Sequence, residues 1–219
     1  MCVYCGVSSP NTRDHVPPKV LLDEPYPQQL PVVDACEECN RGFSLDEQYL
    51  ACFIECVLCG TVEPSGLQRP KIKRIISENS SLSHRIGESK KTDGANKVDW
   101  QPEFDRIQNI VVKLGRGHVA YEFYPKLEDP IEVRFAPLMQ FTEQERRDFE
   151  NITSGGLWPE IGGRAFYRAC GEKPDHLVQI DNWIVVQPGL YRFAVSETNN
   201  IMVKMVLSEY LACTVLWNK

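Results

Sequence analysis

Two Cys-x-x-Cys pairs, Cys2/Cys5 and Cys36/Cys39, constrain this chain more than any other feature. They bracket a first stretch, residues 1 to 43, that carries Pro10, Pro17, Pro18, Pro25, Pro27 and Pro31 and little helical periodicity. A segment so rich in turns buries too little apolar surface to hold itself together, so its stability must come from elsewhere. Each CxxC folds as a tight knuckle that aims two thiolates at one ion, and two knuckles complete a tetrahedral shell. Structural Zn²⁺ on Cys2, Cys5, Cys36 and Cys39 is therefore expected, and such an ion contributes an apparent ~10–16 kcal/mol to folding. The competing redox use of a CxxC pair needs a thioredoxin-like βαβ setting, which is absent here.

Nine cysteines in 219 residues is a high count, and an odd one. In a reducing compartment such clustering points to metal rather than to disulfides. The start of the chain lacks the basic and apolar regions of a secretory signal, and the best apolar run, residues 50–58, is short and contains Glu55. A cytoplasmic protein without a membrane span is the expectation. The net charge of −6 argues against broad non-specific binding of nucleic acid. One stretch runs the other way: Arg69, Lys71, Lys73, Arg74, Arg85, Lys90, Lys91 and Lys97 outnumber Glu78, Glu88 and Asp93. It reads either as a face that tracks phosphates or as a solvated loop.

Three regions follow from the pattern. In residues 1–60, short strands flank the CxxC pairs and His15, and a helix begins where Ser44 and Glu47 have capping-box spacing. Leu45, Tyr49, Cys52, Phe53 and Cys56 mark one face of that helix, and Gly60 ends it. Residues 61–99 read as a basic linker with one helix over 71–78 and a polar, mobile loop after it. Residues 100–219 read as an α+β domain. Phe104, Ile107, Ile110, Val111 and Leu114 form a helical stripe that Gly115 closes, which leaves His118 as a turn residue. Thr142 and Glu145 form a second capping box. Strands are expected over 165–170, 177–180, 183–186, 190–195, 201–206 and 211–217, making a mostly antiparallel sheet with helices on one face.

The zinc-closed loop also holds Asp14 and His15, and Asn40 directly follows the last knuckle cysteine. The sequence Cys2-Val-Tyr-Cys5, Arg13-Asp14-His15-Val16-Pro17, Cys36-Glu-Glu-Cys39-Asn40 resembles the HNH, or ββα-metal, endonucleases over about the first fifty residues. It is most similar to members in which two zinc knuckles bracket the active site. The resemblance implies a metal-dependent phosphodiesterase, an amino-terminal ββα module, and nucleic acid, DNA above all, as partner. His15 would be the general base. Asp14 and Asn40 would hold a catalytic Mg²⁺ or Mn²⁺, and Arg13 and Arg41 would hold phosphate oxygens.

The residue types suit that chemistry on their own terms. Phosphodiester hydrolysis needs an activated water, charge stabilisation at the phosphate and help for the leaving oxygen. An Asp carboxylate and an Asn carbonyl are hard oxygen ligands, and a histidine of ordinary pKa takes a proton from water near neutral pH. One condition is attached. Neighbours on a regular strand point to opposite sides, so Asp14 and His15 serve one phosphate only if the backbone loops there. The chain also departs from the pattern, since no histidine follows Asn40 until His84; Asp46 or Glu47 could substitute.

A different class stays open: a zinc-built module that binds nucleic acid or protein, with a degenerate nuclease centre. A third reading, a thiol–disulfide enzyme on Cys56 and Cys59, requires an accessible thiol of low pKa. The carboxyl-terminal domain is left to choose a substrate, a protein partner or a second copy of the chain.

Overall fold

The first elements are a short antiparallel pair, β1 (Thr12–His15) and β2 (Val32–Ala35), and a helix, α1 (Glu37–Gly42). They belong to a computed structural model that describes residues 1–92, 98–123, 128–152, 164–170 and 177–218. The chain divides into two compact units, one of Met1–Gly42 with Val111–Lys219 and one of Phe43–Ile110.

The second unit opens with α2 (Ser44–Cys59). Tyr49, Cys52, Phe53 and Cys56 are buried as the pattern predicts, whereas Leu45 is exposed. Ser44, expected as the N-cap, is instead the first residue of the helix. Phe43 is the N-cap in helical conformation, and its carbonyl accepts the Asp46 and Glu47 N–H groups at 3.0 and 2.9 Å. A capping side chain reaches back only from an extended N-cap residue, and here one helix runs almost directly into the next. Gly60 ends α2 in the left-handed conformation, as expected. Then come α3 (Pro70–Glu78), α4 (Ser80–Ser89) and a hairpin of β3 (Lys90–Thr92) with β4 (Val98–Trp100). Helix α4 occupies the stretch read as a loop. Asn79 accepts the Leu82 N–H at 3.0 Å, and Leu82 and Ile86, one turn apart, are buried. Two apolar residues at helical spacing and one cap outweigh the polar composition. Within this unit Arg106 and Asn109 hold the Asp46 carboxylate at 2.9 and 2.7 Å, so that carboxylate is already partnered.

Helix α5 (Phe104–Phe123) does not stop at Gly115. Both of its glycines serve packing. A β-carbon on Gly115 would stand 2.6 Å from the Trp217 ring, and one on Gly117 would stand 2.6 Å from Val16 Cγ2. His118, expected in a turn, is instead fully buried in this helix; it stacks on Phe193 at 3.7 Å and its Nε2 meets the Tyr191 hydroxyl at 2.7 Å.

The rest of the first unit is α+β. It contains β5 (Glu132–Pro137), α6 (Glu143–Glu150), α7 (Arg164–Ala169), β6 (Val178–Ile180), β7 (Trp183–Gln187), β8 (Tyr191–Glu197), β9 (Asn200–Leu207) and β10 (Leu211–Asn218). The six strands form one sheet in the order β5-β10-β9-β8-β7-β6, with every neighbouring pair antiparallel. The segment 165–170, expected as strand, is helix α7. Arg164 and Arg168, four residues apart, dock on α5: Arg164 lies 3.9 Å from the Tyr121 ring centroid and Arg168 pairs with Glu122 at 3.1 Å.

Helices cover both faces of the sheet, not one. The strands call for this, since β9 is buried at nearly every position after its first turn. Helix α5 lies on Tyr191, Phe193, Val215 and Trp217. On the other face Leu138, Phe149 and Ile152 pack with Trp183, Ala194, Val206 and Ala212. The Thr142–Glu145 capping box is present at the start of α6. At the other end, the Lys204 ammonium donates to the carbonyls of Asp148, Phe149 and Asn151 at 3.0, 2.9 and 3.2 Å. A cation at a helix carboxyl terminus is well placed against the helix dipole. No described helix is long and apolar enough to cross a membrane.

Alanine at position 117 tests the close approach of α5 to Val16. In an open helix the change gains about 1 kcal/mol. Here overpacking against a fully buried valine is expected to cost about 1–3 kcal/mol instead. Urea denaturation of Gly117→Ala checks the sign.

Candidate metal centre and the residues around it

The first knuckle closes on itself through the Gly6 N–H, which donates to the Cys2 carbonyl at 2.9 Å. Gly6 has φ +67, a conformation that a side chain would strain. The Val3 N–H donates to the Asp34 carbonyl at 3.1 Å and ties this knuckle to β2. The second knuckle starts α1, whose Glu37 N–H donates to Asn11 Oδ1 at 2.9 Å. These bonds bring the four sulfurs of Cys2, Cys5, Cys36 and Cys39 within 4.8 Å of one another. A tetrahedral ion with Zn–S bonds of ~2.3 Å needs its sulfurs about 3.8 Å apart, so the cluster is of the right size. Among the described residues no other group of Cys, His, Asp and Glu is placed to hold an ion.

The thiols pull apart in acidity. Backbone N–H groups of Ser8 and Val7 lower Cys5 to about 6, while burial and then hydrogen bonds with Cys36 and Cys5 push Cys39 up. Four sulfurs at this distance cannot all carry charge without a cation among them. The four cysteines are positioned to hold a metal ion.

Next to the cluster, β1 is a regular strand, with Asp14 opposite Val33 and His15 opposite Val32. The backbone does not loop between them, and the two side chains differ in surroundings as strand alternation requires. Asp14 is buried, at 7% exposure. Its Oδ2 accepts the Tyr4 hydroxyl at 2.7 Å and lies 2.6 Å from the Lys113 ammonium, whose side chain is fully buried. The same ammonium lies 5.5 Å from the Tyr4 ring centroid. Lys113, Arg116 and Gly117 form one face of α5 towards this module. Arg116 donates to the Tyr4 carbonyl at 3.3 Å, and Gly117 admits Val16.

His15 is half-buried, and its ring makes no hydrogen bond among the described residues. Its pKa is lowered, first by burial and then by Lys19, with smaller contributions from Arg13 and Lys113 against the opposing Asp14. It is therefore neutral near pH 7 and able to accept a proton. Asn40 donates through Nδ2 to Thr12 Oγ1 at 3.2 Å and to the Arg13 carbonyl at 3.5 Å, which fastens α1 across β1. Arg13 and Lys19 are exposed, and Lys19 stands 5.2 Å from the Tyr26 ring centroid. Arg41 forms an exposed pair with Glu37 at 3.0 Å.

No protein-family model matches the chain, and no solved structure matches it. The site is therefore read from its own geometry. Asn40 and β1 come together beside the cysteines, with His15 on the same strand. The expected ion at Asp14 does not fit: the carboxylate is buried and already holds an ammonium and a phenol. Sequence reasoning missed Lys113, Tyr4 and Lys19. The one signal available for Lys113 was a lysine adjoining the apolar stripe of Ile110, Val111 and Leu114. In the second unit, burial raises Cys52 and Cys56 to about 12 and also raises Cys59, the reverse of what a thiol–disulfide enzyme needs.

The lowered pKa of His15 carries a stability prediction. The unfolded chain binds a proton at His15 at higher pH than the folded one does, so stability falls as pH drops below about 6.5. Removing a neighbouring cation should weaken the effect. In Lys19→Ala the midpoint of the His15 ring resonances, followed by NMR, is expected to rise towards the ordinary histidine value.

Proposed function

We propose that this chain is an endonuclease of HNH type that hydrolyses phosphodiester bonds, with DNA as the substrate that the resemblance implies. One observation carries the reading: a neutral, half-buried His15 whose ring makes no hydrogen bond among the described residues, on the strand that pairs with the one leading into Cys36, with the exposed cations Arg13 and Lys19 acting on it. A neutral base near exposed cations suits an anionic substrate. In this reading Zn²⁺ on Cys2, Cys5, Cys36 and Cys39 holds the module in shape and takes no part in the chemistry. His15 removes the proton from the attacking water as its oxygen bonds to phosphorus. The P–O bond to the leaving sugar oxygen breaks and that oxygen takes a proton from solvent, and Arg13 and Lys19 bind phosphate oxygens. Asn40 fixes β1 against α1, so that His15 is held still. No step runs through a divalent ion at Asp14.

The buried Asp14–Lys113 pair favours a second reading, a zinc-built module that binds nucleic acid or protein without cutting. The two readings separate in one assay. Zinc-loaded protein is incubated with supercoiled plasmid, with and without added Mg²⁺ or Mn²⁺, beside His15→Ala of equal zinc content. Nicking by the wild type with a loss of about 10²-fold or more in the variant supports the nuclease. Nicking that survives in His15→Ala removes the base assignment. Absence of nicking, together with DNA binding that weakens steeply with salt, selects the binding module. Metal analysis of the same samples is expected to give one zinc per chain, and Cys36→Ser is expected to lose it and unfold.

A further inference from the structure

The carboxylate next to His15 is where the resemblance implies a catalytic divalent ion, and the structure supplies a different cation there. We infer that the Lys113 ammonium is the resident counter-ion of Asp14, and that Mg²⁺ or Mn²⁺ does not bind at this carboxylate. The inference concerns the site of the proposed activity, but its test reads ion binding, so it stands or falls independently of cleavage.

Three observations converge. Oδ2 of Asp14 is taken twice, by Lys113 Nζ at 2.6 Å and by the Tyr4 hydroxyl at 2.7 Å. The pair is closed in: the Lys113 side chain has no exposure and Asp14 has 7%. Mg²⁺ sheds its waters reluctantly and usually keeps several, which a buried carboxylate cannot accommodate. Finally, β1 is regular, so Asp14 faces the core and His15 does not share its surroundings. An ion at Asp14 would also stand within a few ångströms of a buried ammonium and be repelled by it.

The same geometry says what removal of Lys113 does. Lys113→Ala removes the ammonium and also opens the space its side chain fills, so Asp14 is left without its cation and with room beside it for an ion and its waters. The variant should therefore gain the ion site that the wild type lacks. Lys113 is a positioning residue here, since it holds Asp14 inward and touches no substrate.

The test is a titration of zinc-loaded, isotope-labelled protein with Mn²⁺, reading paramagnetic broadening of the His15 ring and Asn40 side-chain resonances. The wild type is expected to show no selective broadening there. Lys113→Ala is expected to gain it, and Asp14→Asn/Lys113→Ala to lose it again. Selective broadening in the wild type that vanishes in Asp14→Asn overturns the inference. So does a folded, zinc-loaded Lys113→Ala that takes up no Mn²⁺ at Asp14. If Lys113→Ala fails to fold, the wild-type titration still decides, because broadening or its absence at His15 answers the question alone.

Discussion

The buried contact between Asp14 and Lys113 joins the four-cysteine amino terminus to the body of the first unit. Neither group belongs in a protein interior by itself. A carboxylate and an ammonium enter low-dielectric surroundings only when they meet at close range and their remaining valences are met. Here they meet at 2.6 Å, and the Tyr4 hydroxyl donates to the same oxygen. Much of the neighbouring structure follows from it. Lys113 fixes the rotation of α5 about its axis, which brings Arg116 onto the Tyr4 carbonyl and Gly117 against Val16. The opposite side of the helix then meets Trp217 and Phe193 of the sheet.

This arrangement divides the labour among residues that are neighbours in sequence. Asp14 belongs to the interior and His15 to the surface side of one strand. Cys36 and Cys39 are placed to hold an ion, and Asn40, one position on, fastens α1 to β1. The four-cysteine cluster and the ion pair lie in the same small module. A turn-rich segment thereby presents a half-buried, neutral histidine near the exposed Arg13 and Lys19.

Local features were legible in the sequence wherever the physics was local. Two CxxC pairs announced a four-thiol cluster, β-branched and aromatic residues between turn residues announced the strands over 183–217, and Thr142 with Glu145 announced a cap that the structure contains. Legibility ended where a distant partner decided the outcome. Ser44 and Glu47 have the spacing of a cap, but the helical turn begins one residue earlier, with Phe43 at the N-cap. Gly115 reads as a terminator until Trp217 is seen to require its missing side chain. Residues 165–169 read as strand until Arg164 and Arg168 find Tyr121 and Glu122 on α5. Asp14 is the sharpest case. Beside a histidine and between two knuckles it reads as a metal ligand, and only a lysine from a helix far along the chain gives it another occupation.

The central claim is that the carboxylate beside His15 is committed to the fold, and a double-mutant cycle on stability tests it most directly. Asp14→Asn, Lys113→Met and the double substitution are compared by denaturant unfolding of zinc-loaded protein. Each single change should cost about 3–5 kcal/mol, because it strands a buried charge. The double change should cost less than the sum of the two by about 1–3 kcal/mol, because it strands none. Costs that add to within about 0.5 kcal/mol would mean that the two groups do not interact in the folded protein. Asp14 would then be free for an ion, and Lys113 would not be its resident counter-ion.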